Sequence, residues 1–221
     1  MQKPPKIMQQ HLIIFSRYPE AGKTKTRLIP TLGPQGAANL QRQMTEYILS
    51  KAKQLQNQIL VSLEIRFAGG NTQLMKDWLG SDIAYQAQGE GDLGMRMARS
   101  LSEAFQNGAE KSIIIGTDCP SIELEILKLA FEYLTDKDLV LGRAIDGGYY
   151  LIALRRSIPE LFVDVDWGTD KVFQQTVNIA KRLNLAVDNL PTLADIDRPE
   201  DLEIWEEIHR QRGKNVNNIN G

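Results

Sequence analysis

The sequence predicts an α/β protein, a sheet with helices on both faces. Three observations carry this. Strand-like and helix-like segments alternate along one unbroken chain. The runs Leu12-Ile13-Ile14-Phe15 and Ile113-Ile114-Ile115 are apolar without alternation, as befits strands covered on both sides. Polar, glycine-rich stretches follow these runs directly, at strand ends, where open α/β sheets bind ligands.

The elements follow in order. Residues 12–16 form the first strand and 36–55 a helix. Val61, Leu63, Ile65 and Phe67 alternate with polar residues, which marks a strand that ends at Gly69-Gly70. A short helix over 72–79 and a brief strand over 83–86 come next. Leu93, Met97, Leu101 and Phe105 recur at helical spacing, with Gly108 as the stop. A central strand over 112–116 precedes a helix carried by Leu124, Leu127, Phe131 and Leu134. Strands are expected over 139–142 and 149–154, and helices over 169–183 and 199–212. The expected domain is a single unit over 11–212, with flexible tails at 1–10 and 213–221.

Composition narrows the function. The chain is 42% apolar and 24% charged, with a formal net charge of −2, so nothing suggests a nucleic-acid surface. No apolar run is long enough to span a bilayer, and the N-terminus lacks a signal-peptide core. Cys119 is the sole cysteine, which rules out an intramolecular disulfide and fits a reducing cytoplasm. It has no companion histidine in a nucleophile arrangement, and His11 and His209 are expected to be structural or surface residues.

The stretch Tyr18 to Leu28, with Gly22-Lys23-Thr24 inside it, raises the question of a P-loop. That motif needs a glycine five residues before Gly22, where Arg17 stands, and a helix straight after, which Pro30, Gly33 and Pro34 oppose. If the segment is extended, Lys23, Lys25 and Arg27 share one face and suit a polyphosphate or a phosphorylated acceptor; otherwise they are a solvated basic loop. Asp118, between the triple isoleucine and Pro120, reads either as a helix cap or as a ligand for a hard cation. Asp195 and Asp197 would share a face in an extended stretch, and Asp197 with Glu200 has capping-box spacing. Asp146-Gly147-Gly148 implies close backbone approach or a bulge, and Tyr149 and Tyr150 are stacking or packing residues. The segment from Gly89 through Gly91 and Asp92 to Gly94 offers backbone N–H groups to an anion or a base edge, or is a plain turn. Thr169 reads as a helix N-cap.

Taken together and in order, Phe15-Ser16-Arg17 with Gly22-Lys23-x-Lys25-Thr26-Arg27-Leu28, Gly89 to Gly94, Gly116-Thr117-Asp118-Cys119-Pro120, Asp146 to Ile152, Trp167-x-Thr169 and Asp195-Ile196-Asp197 resemble the DUF2064 family of glycosyltransferase-like proteins. More distantly they are similar to phospholactate guanylyltransferases and molybdenum-cofactor nucleotidyltransferases. The likeness covers residues 11 to about 205. It implies a Rossmann-like three-layer sandwich of the nucleotide-diphospho-sugar transferase (glycosyltransferase-A) type, with a mostly parallel sheet. By that resemblance Lys23 and Arg27 are phosphate ligands, Asp118 binds Mg²⁺ or Mn²⁺, and Asp195 or Asp197 is its partner. Ser16, Arg17, Gly22, Lys25, Gly89, Gly91, Asp92, Gly94, Thr117, Gly147, Gly148 and Tyr149 complete the expected binding surface.

The expected function is nucleotidyl transfer from an NTP to a small phosphorylated or acidic acceptor, chemistry that needs positioning and charge neutralisation more than a nucleophilic side chain. The alternative is glycosyl transfer from a nucleotide sugar, with Asp146 as the base. A second alternative is a regulatory nucleotide-binding module without turnover. Of the late pair, Asp195 is expected to bind the metal and Asp197 to start the last helix.

Overall fold

A computed structural model describes residues 9–219, with side chains over 10–211. The expected N-terminal tail therefore lies outside the described residues over 1–8. Among the described residues seven strands form one sheet in the order β3-β2-β1-β4-β6-β5-β7. These are β1 (Gln9–Arg17), β2 (Val61–Ala68), β3 (Ala84–Ala87), β4 (Ala109–Gly116), β5 (Leu139–Ala144), β6 (Tyr149–Leu154) and β7 (Val187–Leu193). β6 runs antiparallel to β4 and β5, and every other pairing is parallel. The helices are α1 (Ile29–Gln56), α2 (Thr72–Leu79), α3 (Leu93–Gln106), α4 (Leu124–Tyr133), α5 (Val172–Arg182) and α6 (Leu202–Ile219).

The unalternating runs are explained by the layers. Leu12 and Ile14 pack with Ile113 and Ile115 on one face, under α1, α2 and α4. Ile13, Phe15 and Ile114 pack on the other, under α3 and α5. A third cluster, around Leu28, Met44, Ile196 and Trp205, fastens α6 to the N-terminal half of α1. Among the described residues no helix is long and apolar enough to cross a membrane.

Several boundaries differ from expectation. α1 begins at Ile29 but breaks at Gly33 (φ 70°, ψ 167°), so a short helical piece precedes the one expected from Gly36. β7 was not foreseen: it contains Pro191, which an edge strand tolerates because its outer side needs no ladder donor. α5 starts at Val172 rather than Thr169, and α6 continues beyond Arg212 to Ile219. The polar residues of β2 lie beneath α3: buried Arg66 pairs with Glu64 and Glu103 (both 2.6 Å), and His11 bonds Ser62 and Glu64.

Candidate functional site

β1 lies between β2, where the chain steps outward, and β4, where it crosses to the other half of the sheet. Phe15 stands in register with Gly116, so the carboxyl ends of β1 and β4 open side by side at the point where strand order reverses. A cavity of about 820 Å³ sits there.

The basic segment reaches this cavity by a route unlike the expected one. It is not extended. Lys23 N–H donates to the Glu20 carbonyl, Leu28 N–H donates to the Lys25 carbonyl, and residues Thr26–Leu28 form a 3₁₀ turn. The three cations therefore do not share one face. Lys23 and Arg27 are exposed and pair with Glu20 (2.7 Å) and with Asp197. Lys25 turns inward: its side chain is 3% exposed and its ammonium lies 2.7 Å from Asp118 Oδ1. It also donates to the carbonyl of Ile196. All three still line the cavity. Gly22 makes the turn (φ 82°) and is not among the lining residues.

Asp118 does not cap a helix. α4 begins at Leu124, with Glu123 in the cap position. The Asp118 carbonyl accepts from Ile196 N–H (2.8 Å), which draws the Asp195-Ile196-Asp197 segment over the end of β4. Asp197 does not cap either: its carboxylate pairs with Arg27, while Asp201 accepts from the N–H groups of Asp197 (3.0 Å) and Arg198 (2.7 Å). The capping interaction falls one residue later than the expected Asp197–Glu200 box.

A buried polar chain ties the two strand ends to α1. Gln41 donates to Thr117 Oγ1 (3.1 Å) and to Thr45 Oγ1 (3.2 Å), and Thr45 meets Ser16 Oγ at 3.1 Å. Ser16 and Thr117 line the cavity, but their hydroxyls are engaged in this tie. Gln88 binds the carbonyls of Ser16 (3.2 Å) and Arg66 (3.1 Å). Neither glutamine was foreseen. The available signal was Gln41 and Thr45, two polar residues one turn apart on the face that Ala37, Leu40, Met44 and Ile48 bury.

The opposite wall is aromatic and close-packed. Trp167 meets Tyr149 edge-on at 6.3 Å between centroids. A Cβ on Gly94 would lie 2.3 Å from the Trp167 indole nitrogen, so only glycine lets α3 approach the ring. Gly147 has φ 92°, and a Cβ there would strike the Asp170 carbonyl at 2.2 Å. Gly148 N–H donates to Asp146 (2.8 Å). Asp92 is the N-cap of α3, accepting from Met95 N–H at 2.8 Å. Gly89, Gly91, Asp92, Gly94 and Gly147 support the wall rather than line it; Gln88, Leu93, Arg96 and Gly148 line it, as do Tyr149 and Trp167. Thr169 also lines it and, instead of capping α5, forms a local turn with Asp166 and Lys171. Arg17 and Arg96 line the cavity and, among the described residues, pair with no carboxylate.

The acidic side is a concentration of negative charge. Burial raises the pKa of Asp195, and the carboxylates of Asp146 and Asp118 raise it further. The buried Cys119 thiol is pushed up by burial, then by Asp195, Asp118 and Asp146, which leaves it protonated and unreactive. Among the described residues no group of three or more His, Cys, Asp or Glu could by itself hold a metal ion. Hard carboxylate oxygens facing a cavity nevertheless fit a Mg²⁺ or Mn²⁺ whose remaining ligands are phosphate oxygens and water.

The sheet order, the reversed β6 and the site at the β1–β4 switch point define a Rossmann-type fold of the nucleotide-diphospho-sugar transferase class. The chain belongs to the family described as "Uncharacterized protein conserved in bacteria (DUF2064)", which matches residues 48–169. That segment includes Asp118 and Asp146 but neither the basic loop nor Asp195. The chain is 34% identical to a candidate nucleotide-diphospho-sugar transferase from Desulfovibrio desulfuricans G20, with a TM-score of 0.80 over 86% of this chain and 82% of that one. A 4-diphosphocytidyl-2C-methyl-D-erythritol synthase from Anaerococcus prevotii shares the fold at 11% identity, with a TM-score of 0.61 over 91% and 98% of the two chains. A 4-hydroxy-tetrahydrodipicolinate reductase from Wolbachia sp. subsp. Brugia malayi is 23% identical over 158 residues, 71% of this chain and 53% of that protein. The chain thus spans about half the length of that relative.

Proposed function

We propose that this protein is a nucleotide-using transferase, and specifically a nucleotidyltransferase acting on a small phosphorylated or acidic acceptor. The observation that carries the reading is the buried Lys25 ammonium held against Asp118 at the mouth of β4, with Lys23 and Arg27 at the rim of the same cavity. This arrangement suits a chain of phosphates. In the reaction an acceptor oxygen attacks the α-phosphorus of an NTP, the bond to the β-phosphate oxygen breaks, and pyrophosphate leaves. Lys23, Lys25 and Arg27 neutralise the phosphates and orient the departing pyrophosphate. Asp118 and Asp195 would hold Mg²⁺ or Mn²⁺, which supplies charge neutralisation at the phosphates. Arg17 and Arg96 give an anionic acceptor or nucleotide oxygen a partner, and Tyr149 and Trp167 offer an aromatic wall to a base or acceptor.

Glycosyl transfer is the second reading. The 34% identity to the candidate nucleotide-diphospho-sugar transferase favours it, as does Asp146, which pairs with no cation among the described residues and could serve as the base. A thermal-shift panel of the four NTPs and common nucleotide sugars, with and without Mg²⁺ or Mn²⁺, separates the two. A ligand at about a hundred times its dissociation constant adds roughly 2.7 kcal/mol of stability. Shifts with NTPs alone, followed by pyrophosphate release on adding acidic acceptors, support the first reading. Shifts with sugar donors alone overturn it.

A further inference from the structure

We propose that Lys25 is the resident cation of this site: its ammonium fills the place beside Asp118 until nucleotide phosphates draw it away, so the divalent metal enters only with the nucleotide. The proposal rests on the nucleotide-binding reading above and adds an order of events to it.

The buried member of the pair is the lysine. Its side chain is 3% exposed, whereas that of Asp118 is 56% exposed, so the ammonium lies beneath an open carboxylate. A buried ammonium is stable only when paired and hydrogen-bonded. Among the described residues Lys25 has two oxygen partners, Asp118 Oδ1 and the Ile196 carbonyl. The backbone delivers it there in a left-handed conformation (φ 48°, ψ 45°), which a residue with a Cβ adopts only where its surroundings enforce it. The Lys25 carbonyl closes the following 3₁₀ turn by accepting from Leu28 N–H, so the position is fixed from both sides.

A metal ion approaching Asp118 in the empty protein therefore meets a positive charge already bound to it. The other two loop cations are also held by carboxylates, Lys23 by Glu20 and Arg27 by Asp197. A di- or triphosphate offers Lys25 a stronger acceptor than one carboxylate. Once the ammonium turns to phosphate, Asp118 is released. It then joins Asp195 and the phosphate oxygens in a hard-oxygen shell that the described residues do not complete alone. The site so built selects the metal–nucleotide complex over either component.

The test compares wild type with Lys25→Met, which keeps the apolar stem and removes the charged end. Mn²⁺ binding is read by equilibrium dialysis, and folding by circular dichroism. With Mn²⁺ alone, Lys25→Met should bind the ion about tenfold more tightly than wild type, or more. Adding whichever NTP or nucleotide sugar raises the wild-type melting temperature should tighten Mn²⁺ binding in wild type and much less in the variant. Equal affinity of both proteins for Mn²⁺ alone overturns the proposal. If no nucleotide or nucleotide sugar shifts melting in either protein, the nucleotide reading fails, yet the metal-alone comparison still decides the role of Lys25. Should Lys25→Met not fold, Lys25→Gln gives the same comparison, since it too removes the charge and keeps a hydrogen-bond donor.

Discussion

Asp195 shows how one side chain registers the charge of the whole site. Burial, then Asp146 and Asp118, raise its pKa above the ordinary carboxylate value of 3.8. The folded state therefore holds this proton more tightly than the unfolded chain does. The stability it contributes is fully present below pH 3.8 and is lost as pH rises through the raised folded value. Above that window the ionised carboxylate works against folding when no cation is bound. Asp195→Asn should then raise the melting temperature of the ligand-free protein at pH 7, flatten its decline between pH 4 and neutrality, and weaken metal-dependent nucleotide binding. A pH series of thermal melts checks the sign, and an unchanged pH profile in the variant would sink it. Lys25 and Asp195 also mark the limit of reading single residues from sequence. Same-face spacing presupposed an extended loop, but Gly22 and Lys25 both take positive φ and wind the segment into turns. Alternation cannot reveal that Lys25 is the cation turned inward.

At the scale of elements, helix ends were legible as places but not always as atoms. The Asp197–Glu200 spacing marks a helix start, yet Asp201 accepts the exposed N–H groups and Asp197 is left to Arg27. Asp201→Ala should cost about 1 kcal/mol in urea unfolding, the usual loss of a cap. Asp197→Ala removes only a surface ion pair and should change stability by less than about 1 kcal/mol. Equal losses would mean that Asp197 does share the capping. At α3 the constraint comes from across the cavity. Gly94→Ala places a methyl group against Trp167 and should destabilise by about 1–3 kcal/mol despite the better helix propensity of alanine. Quenched tryptophan fluorescence changes should accompany it. Gly89 to Gly94 was legible as a backbone feature, but the partner that demands Gly94 stands at position 167, beyond any local pattern.

For the molecule as a whole, layers and strands were legible because both faces of β1 and β4 are buried, which leaves unbroken apolar runs in the sequence. β7 was not, since an edge strand with Pro191 and mixed burial carries no such signal. Amide exchange should reflect the same architecture: Leu12–Phe15 and Ile113–Ile115 slowest, the edge strands β3 and β7 fastest. Slow exchange at β7 would require a cover that the described residues do not provide. The bond from Ile196 N–H to the Asp118 carbonyl has a consequence in time as well as in space. A chain growing from the ribosome has β1, the basic loop and β4 long before it has residue 196, and until then Lys25 lacks its second acceptor and Asp195 is absent. The sheet can begin to form early, but the site lacks Asp195 and the second partner of Lys25 until residue 196 has been added. A chain that stops before residue 196 would lack Asp195's neighbour at the mouth of β4, the carbonyl that holds Lys25, and Ile196 and Trp205 of the third core cluster.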